Sequence, residues 1–125
     1  MKVEFVSEVS NSSGVSLPYK IFTCQLNDNG TNVPAQIVLE NTLGITLTIT
    51  NLSAGGYGFT LSQAIDLSKS TFFLGNMWFN NAACYWGTIV VLNTTSFTLL
   101  TQENNVPIRQ DNLFGKTLLE IKEFI

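Results

Sequence analysis

The sequence predicts a single all-β domain, an antiparallel β-sandwich of the jelly-roll type or a similar one. Three observations predict it: apolar and polar residues alternate with a period of two in short runs, turn formers separate the runs, and β-branched and aromatic residues fill them. A sheet with one apolar face buries it against a second sheet or by closing on itself. The connections are too short for helical crossovers, so neighbouring strands are expected to be antiparallel.

The clearest strand covers residues 45–51, where Ile45, Leu47 and Ile49 alternate with threonines. The other predicted strands are residues 2–9, 19–26, 36–40, 57–61, 71–74, 77–79, 85–92, 96–101 and 117–124. Turn-forming residues stand between them at 11–14, 27–30, 53–56, 75–76, 93–94 and 104–105. In the first strand after the polar residues 10–17, Lys20, Phe22, Cys24 and Leu26 are expected to share one face.

The last element is ambiguous, because two periodicities fit it. Phe114, Leu118, Ile121 and Ile125 match a helical stripe with Asp111 as its N-cap, so a short C-terminal helix is the alternative. A strand is favoured, because alternation also fits and all neighbouring segments are predicted strands.

The chain is predicted to divide into an N-terminal arm and a sandwich domain. Residues 1–17 form the arm, in which a strand over 2–9 is followed by a polar, flexible linker. Residues 18–125 form the sandwich, since 125 residues suit one domain with one core.

Composition narrows the classes of partner. Hydrophobic residues make up 45% and charged residues only 12%, so the chain is expected to fold and to present a weakly charged surface suited to self-assembly. The net charge is −3, and the six basic residues are scattered, which argues against nucleic acid as a partner. No signal peptide or membrane span is recognisable, so synthesis in the cytoplasm is expected. Cys24 and Cys84 are therefore predicted to be free thiols rather than a disulfide.

No constellation for catalysis, cofactors or metals is recognised. The chain contains no histidine, which removes Ser-His-Asp and Cys-His arrangements, and two distant cysteines cannot make a zinc site. A carboxylate pair remains formally available, but the acidic candidates are better explained as turn and cap residues. They are Asp28, Glu40, Asp66, Glu103 and Asp111. We therefore expect a protein that is not an enzyme and has no catalytic, cofactor-binding or metal-binding residues.

Aromatic residues are densest in residues 72–86. Trp78, Phe79, Tyr85 and Trp86 are the candidates for a ligand site or an interface, because rigid amphipathic rings stack on sugars and anchor protein contacts. Ordinary core packing explains the same residues and is the favoured interpretation. A carbohydrate- or receptor-binding module that uses this segment is the alternative function.

Three motifs carry a family resemblance: Tyr19-Lys20-Ile21-Phe22, then residues 29–34 (NGTNVP), then residues 38–44 (VLENTLG). Together with Gly56-Tyr57 and a closing Glu120-Ile121-Lys122, they resemble small β-rich proteins of bacteriophages and Bacteroidota genomes. The likeness covers residues 19–61 and, loosely, the C-terminal strand. The motif residues are fold determinants, so no catalytic residue carries over.

The resemblance implies a virion structural protein, such as a head or tail fibre, spike or capsid decoration module, with a role in host attachment as an extension. Its expected partners are further copies of itself, by analogy a homotrimer, other virion proteins and a host surface glycan. The expected location is the virion.

Overall fold

The structure is a computed structural model that describes residues 17–29, 31–75, 85–103, 106–109 and 114–125, with backbone alone for 85–86, 102–103 and 106–109. The strands are β1 (Tyr19–Asn27), β2 (Ala35–Asn41), β3 (Leu47–Ser53), β4 (Gly56–Leu61), β5 (Ser70–Leu74), β6 (Tyr85–Asn93), β7 (Ser96–Glu103), β8 (Val106–Arg109) and β9 (Thr117–Phe124). A short 3-10 helix, Leu67–Lys69, precedes β5.

The strands form two antiparallel sheets. Sheet A has the order β2-β1-β9-β5, and sheet B has the order β3-β4-β7-β6, with β8 paired to the end of β7. The described residues contain no α-helix. The predicted antiparallel β-sandwich is therefore confirmed.

The core lies between the two sheets and follows the alternation of the strands. In β1, Phe22, Cys24 and Leu26 are fully buried, as predicted, whereas Lys20 at the start of the strand is exposed. Leu119 and Ile121 of β9 are also fully buried. Their removal from water is the main favourable contribution to folding, because apolar burial is the dominant driving force.

Aromatic rings pack both within sheet B and across the core. Phe59 of β4 and Phe97 of β7 stack with centroids 4.7 Å apart, and Phe72 of β5 meets Phe97 edge-on at 5.2 Å. Tyr57 packs against Phe114 at 5.3 Å. Ring pairs at these distances stabilise the core beyond the area that they bury.

The C-terminal tail is strand β9, so the helical alternative is wrong. Leu119 and Ile121 point into the core, while Glu120 and Lys122 lie on the opposite face with an Nζ to Oε2 distance of 3.8 Å. Only a period of two places both apolar residues on one side. Tertiary pairing with β1 and β5 fixes this choice.

Strand β3 begins at Leu47 rather than at Ile45. Ile45 is buried, but it belongs to the connection between the sheets, which the Asn41 side chain holds. Asn41 Oδ1 accepts from Gly44 N at 2.9 Å and from Ile45 N at 3.2 Å, and Asn41 Nδ2 donates to Ile45 O at 2.8 Å. Gly44 has a φ of 76°, which favours glycine.

One further difference concerns the predicted elements. Strand β8 is absent from the prediction, because Pro107 argues against an ordinary strand. The predicted strands at residues 2–9 and 77–79 lie outside the described residues, as does the predicted arm up to residue 16.

Candidate functional site

Strand β2 presents an unusual apolar surface at one edge of sheet A. It pairs with β1 on one side, and no other described strand pairs with it. Ile37, Val38 and Leu39, which are consecutive, are 53%, 51% and 57% exposed. We call these three residues the β2 edge patch.

The register with β1 explains how three neighbours are exposed together. Val38 lies opposite the buried Cys24, on the core side of the sheet. The next pair is Glu40 opposite Thr23, which leaves Leu39 as an extra residue in a β-bulge. The patch therefore offers apolar side chains on both faces of the edge.

Hydrogen bonds fix both ends of β2. At its start, Gln36 Nε2 donates to the carbonyl of Leu47 in β3 at 2.9 Å, which ties the strand to the other sheet. Just beyond its end, Thr42 Oγ1 accepts from Ile21 N at 2.9 Å, and Leu43 N donates to Ile21 O at 3.0 Å. The β2 edge patch therefore lies on a strand whose two ends are fixed by hydrogen bonds.

Charge is scarce along this edge. Glu40 is the single charged residue of β2, which contains neither lysine nor proline. Natural edge strands are commonly protected by such residues, because an unpaired row of N–H and C=O groups pairs readily with another chain. Glu40 and the bulge at Leu39 are the protective features of this strand. A further strand can therefore pair with residues 35–38 of β2, and apolar side chains of a partner can pack on the patch.

A shallow cleft near the start of β1 is a second surface, with a volume of about 330 Å³. It is lined by Lys20, Asp66, Lys69, Glu123, Phe124 and Ile125. Both carboxylates have structural partners: Asp66 Oδ1 accepts from Ser68 Oγ at 2.6 Å and Ser68 N at 3.0 Å, and Glu123 Oε2 accepts from Asp66 N at 2.7 Å. These bonds from Ser68 lower the pKa of Asp66. In this cleft, Asp66 thus caps the 3-10 helix Leu67–Lys69, and the two carboxylates are not arranged for proton transfer.

The other carboxylates considered for catalysis lie on different elements. Asp28 follows β1, Glu40 belongs to β2, and Glu103 ends β7, while Asp111 lies outside the described residues. Among the residues that the structure describes, no three His, Cys, Asp or Glu side chains come together as metal ligands. No helix in the same part of the chain is long and apolar enough to cross a membrane.

The predicted aromatic site is only partly within the described structure. Trp78 and Phe79 lie outside it, and Tyr85 and Trp86 begin β6 with backbone positions alone, paired with Glu103 and Gln102. Two earlier aromatics of the segment are described. Phe72 packs on the core, whereas Phe73 is 53% exposed on the outer face of sheet A.

The cysteines are likewise described in part. Cys24 is a free, fully buried thiol, and its burial raises its pKa to about 12. A thiol held neutral in this way is a poor nucleophile. Cys84 lies outside the described residues, so its predicted free state stays a prediction.

The chain matches no family model, no curated protein and no solved structure. Sequence reasoning missed the β2 edge patch, although the run Ile37-Val38-Leu39 interrupts the alternation of apolar and polar residues. Such a run in a strand is typically buried on both faces. Its exposure here makes it a candidate interaction surface.

Proposed function

We propose that this chain is a non-enzymatic structural protein of a bacteriophage particle, a head or tail fibre, spike or decoration module that assembles as a homo-oligomer. The motif resemblance at residues 19–61 supports the phage context. By analogy with fibres and spikes, the assembly is a homotrimer. Its other partners are neighbouring virion proteins.

The β2 edge patch is the observation that carries the assembly part of this proposal. Three large aliphatic side chains, each more than half exposed, stand together on a strand with one charged residue. Exposed apolar residues of this kind at a weakly protected edge favour association with another chain. The low overall charge of −3 opposes such association only weakly.

Self-assembly is tested by size-exclusion chromatography with light scattering over a range of protein concentrations. The expected mass is three times the chain mass of 13.8 kDa. A mass equal to one chain at every concentration contradicts self-assembly. It leaves attachment to a different virion protein as the surviving form of the proposal.

The location is tested by mass spectrometry of purified phage particles. The chain is expected among the virion proteins at a fixed copy number relative to the main capsid protein. Soluble lysate from the same infection is the control, since a contaminating protein loses abundance during particle purification. Failure to find the chain in particles contradicts the virion location.

A carbohydrate- or receptor-binding module is the second candidate function. Phe73 favours it, because an aromatic ring that is 53% exposed on the face of a sheet can stack on a sugar. A glycan array with the protein and with Phe73→Ser tests this role. Binding that the substitution removes supports it, and no binding by either protein contradicts it.

A further inference from the structure

We infer that the β2 edge is the acceptor for an added strand, residues 2–9 of a second copy of this chain. The inference rests on the proposed self-assembly and names its contact surface. It joins the exposed patch on β2 to a segment that lies outside the described structure but within the sequence. One molecule then supplies both halves of the contact.

The four sheet edges are not equivalent. On the side where β2 lies, the neighbouring edge β3 is already engaged by the chain itself, through Gln36 Nε2 to Leu47 O and Asn51 Nδ2 to Asn32 O. On the opposite side, β5 and β6 approach each other closely, since a Cβ on Gly87 would meet Leu74 Cδ2 at 2.7 Å. Strand β2 combines an edge that the described residues leave uncovered with the more evenly exposed apolar run: Ile37, Val38 and Leu39 are each more than half exposed, whereas in Val90, Val91 and Leu92 of the competing edge β6 only Leu92 is.

Residues 2–9 have the pattern of a strand with one apolar face. Val3, Phe5 and Val9 alternate with Lys2, Glu4, Val6 and Glu8. An added strand gains main-chain hydrogen bonds from the edge and specificity from its alternate side chains. Its apolar face would continue the core side of sheet A beyond Val38.

Charge and side-chain matching favour the antiparallel direction. If Phe5 lies opposite Val38, an antiparallel strand places Val6 opposite Ile37 and brings Lys2 and Glu4 to the two sides of Glu40. The attraction of Lys2 then offsets the repulsion of Glu4. A parallel strand in the same position brings Glu8 to that end instead, where two carboxylates repel each other. Antiparallel addition also matches every strand pair in the sandwich.

The antiparallel direction favours a second copy as the source of the strand. In this direction, residue 8 lies opposite Ala35, which pairs with Asn27, and residue 9 lies just beyond it, whereas residue 19 lies at the other end of β1. Returning along β1 takes roughly 26 Å, with about 10 Å more across the sheet. Because these displacements are perpendicular, the two ends lie about 28 Å apart. The ten Cα–Cα steps from residue 9 to residue 19 span about 33–36 Å when fully extended, but a flexible linker of this length has a typical end-to-end distance of about 16–19 Å, so a return within one chain needs a strongly stretched linker. A strand from a neighbouring molecule has no such constraint.

The decisive experiment uses a variant that begins at Pro18 and a synthetic peptide of residues 1–11 with a fluorophore at its C-terminus. Saturable binding of the peptide to this variant is expected, together with loss of the full-length oligomer when residues 1–17 are removed. In both assays, Leu39→Lys on β2 is expected to weaken association at least tenfold. Leu52→Lys on β3 and Leu92→Lys on β6 are matched controls, because both leucines are 61% exposed, and each should change binding less than twofold.

A charge exchange tests the direction of the strand. Lys2→Glu in the peptide is expected to weaken binding about threefold, as an exposed charge pair is worth under about 1 kcal/mol, and Glu40→Lys in the protein should restore it. In the parallel arrangement, Glu8 rather than Lys2 lies near Glu40, so Glu8→Lys would strengthen binding and Lys2→Glu would leave it unchanged. That result would overturn the antiparallel direction.

The failures are distinguishable. A full-length protein that is monomeric at all concentrations overturns the proposed self-assembly and this inference together. An oligomer that survives both the deletion and Leu39→Lys overturns this inference alone, as does peptide binding that Leu92→Lys abolishes instead. Circular dichroism and thermal melting establish that each variant folds, and Ile37→Lys replaces Leu39→Lys if the latter does not.

Discussion

The side chain of Gln36 in sheet A donates a 2.9 Å hydrogen bond to the main-chain carbonyl of Leu47 in sheet B. The two strands concerned, β2 and β3, are edge strands on the same side of the sandwich. One amide therefore satisfies a backbone acceptor of β3 and holds β2 against the other sheet. This bond links the edge strands β2 and β3, which would otherwise be two separate open edges on this side of the sandwich.

Replacing Gln36 by Ala is expected to lower the free energy of unfolding by about 1 kcal/mol, because the partly buried Leu47 carbonyl loses its partner. Gln63→Ala is the control, since Gln63 Nε2 also donates to a carbonyl, that of Gly44 at 3.0 Å, but in an exposed position. Its effect is expected to be under about 0.5 kcal/mol. Urea denaturation measures both, and equal effects would contradict a structural role for the Gln36 bond.

Phe72 and Phe73 are adjacent residues with opposite environments. Phe72 packs on the core beside Phe97, and Phe73 is 53% exposed, so Phe72→Ala is expected to cost about 3 kcal/mol and Phe73→Ala under about 1 kcal/mol. Chemical denaturation of the two variants gives the comparison. A larger loss from Phe73→Ala would mean that the two faces of β5 are reversed.

Thr117 and Thr101 form a second matched pair. Both are fully buried, but Thr101 Oγ1 donates to Gly55 O at 3.4 Å, whereas the Thr117 hydroxyl has no partner among the described residues. Thr117→Val is expected to raise the free energy of unfolding by about 1 kcal/mol, and Thr101→Val to lower it by about as much. Thermal melting of both variants checks the sign, and destabilisation by Thr117→Val would contradict the first expectation.

The buried thiol of Cys24 is expected to make stability depend on pH in the alkaline range. Burial raises its pKa from 9.0 to about 12, so between these values the folded protein retains a proton that the unfolded chain loses. This contribution is fully present below about pH 9 and declines as the pH rises towards 12. The stability of the wild type relative to Cys24→Ala is expected to fall by up to about 1.4 kcal/mol per pH unit in this window.

Cys24→Ala serves as the reference, because every other ionisable group of the chain is unchanged in it. Denaturant midpoints at intervals from pH 8 upward provide the measurement. Parallel curves for the two proteins would show that the Cys24 thiol ionises equally in both states.

Alternation along the sequence predicted most strands, because a period of two directly reports one buried face. It located β9 even where Phe114 and Leu118 also fitted a helix. It could not predict strand order, which depends on pairing between distant segments, and so it gave no sign that β2 is an edge. The exposure of Ile37 and Leu39, and the inward position of Phe72 rather than Phe73, follow from that order and from register.

The sequence predicted the candidate functional site only in part. The absence of histidine excludes imidazole side-chain chemistry from composition alone. The Gln36 to Leu47 bond could not be foreseen, because it joins two sheets whose relative placement is a property of the folded molecule. The predicted aromatic candidates Trp78 and Phe79 lie outside the described residues and stay predictions.

The position of β9 in sheet A has a consequence for folding on the ribosome. Strand β9 lies between β1 and β5, although both are synthesised long before it. The hairpins β3–β4 and β6–β7 can pair as soon as they emerge, but sheet A stays split until residues 117–124 are available. Contacts that distant in sequence form slowly. The open flank of β1 is therefore exposed through most of translation, which makes the nascent chain a substrate for chaperones that bind extended apolar segments.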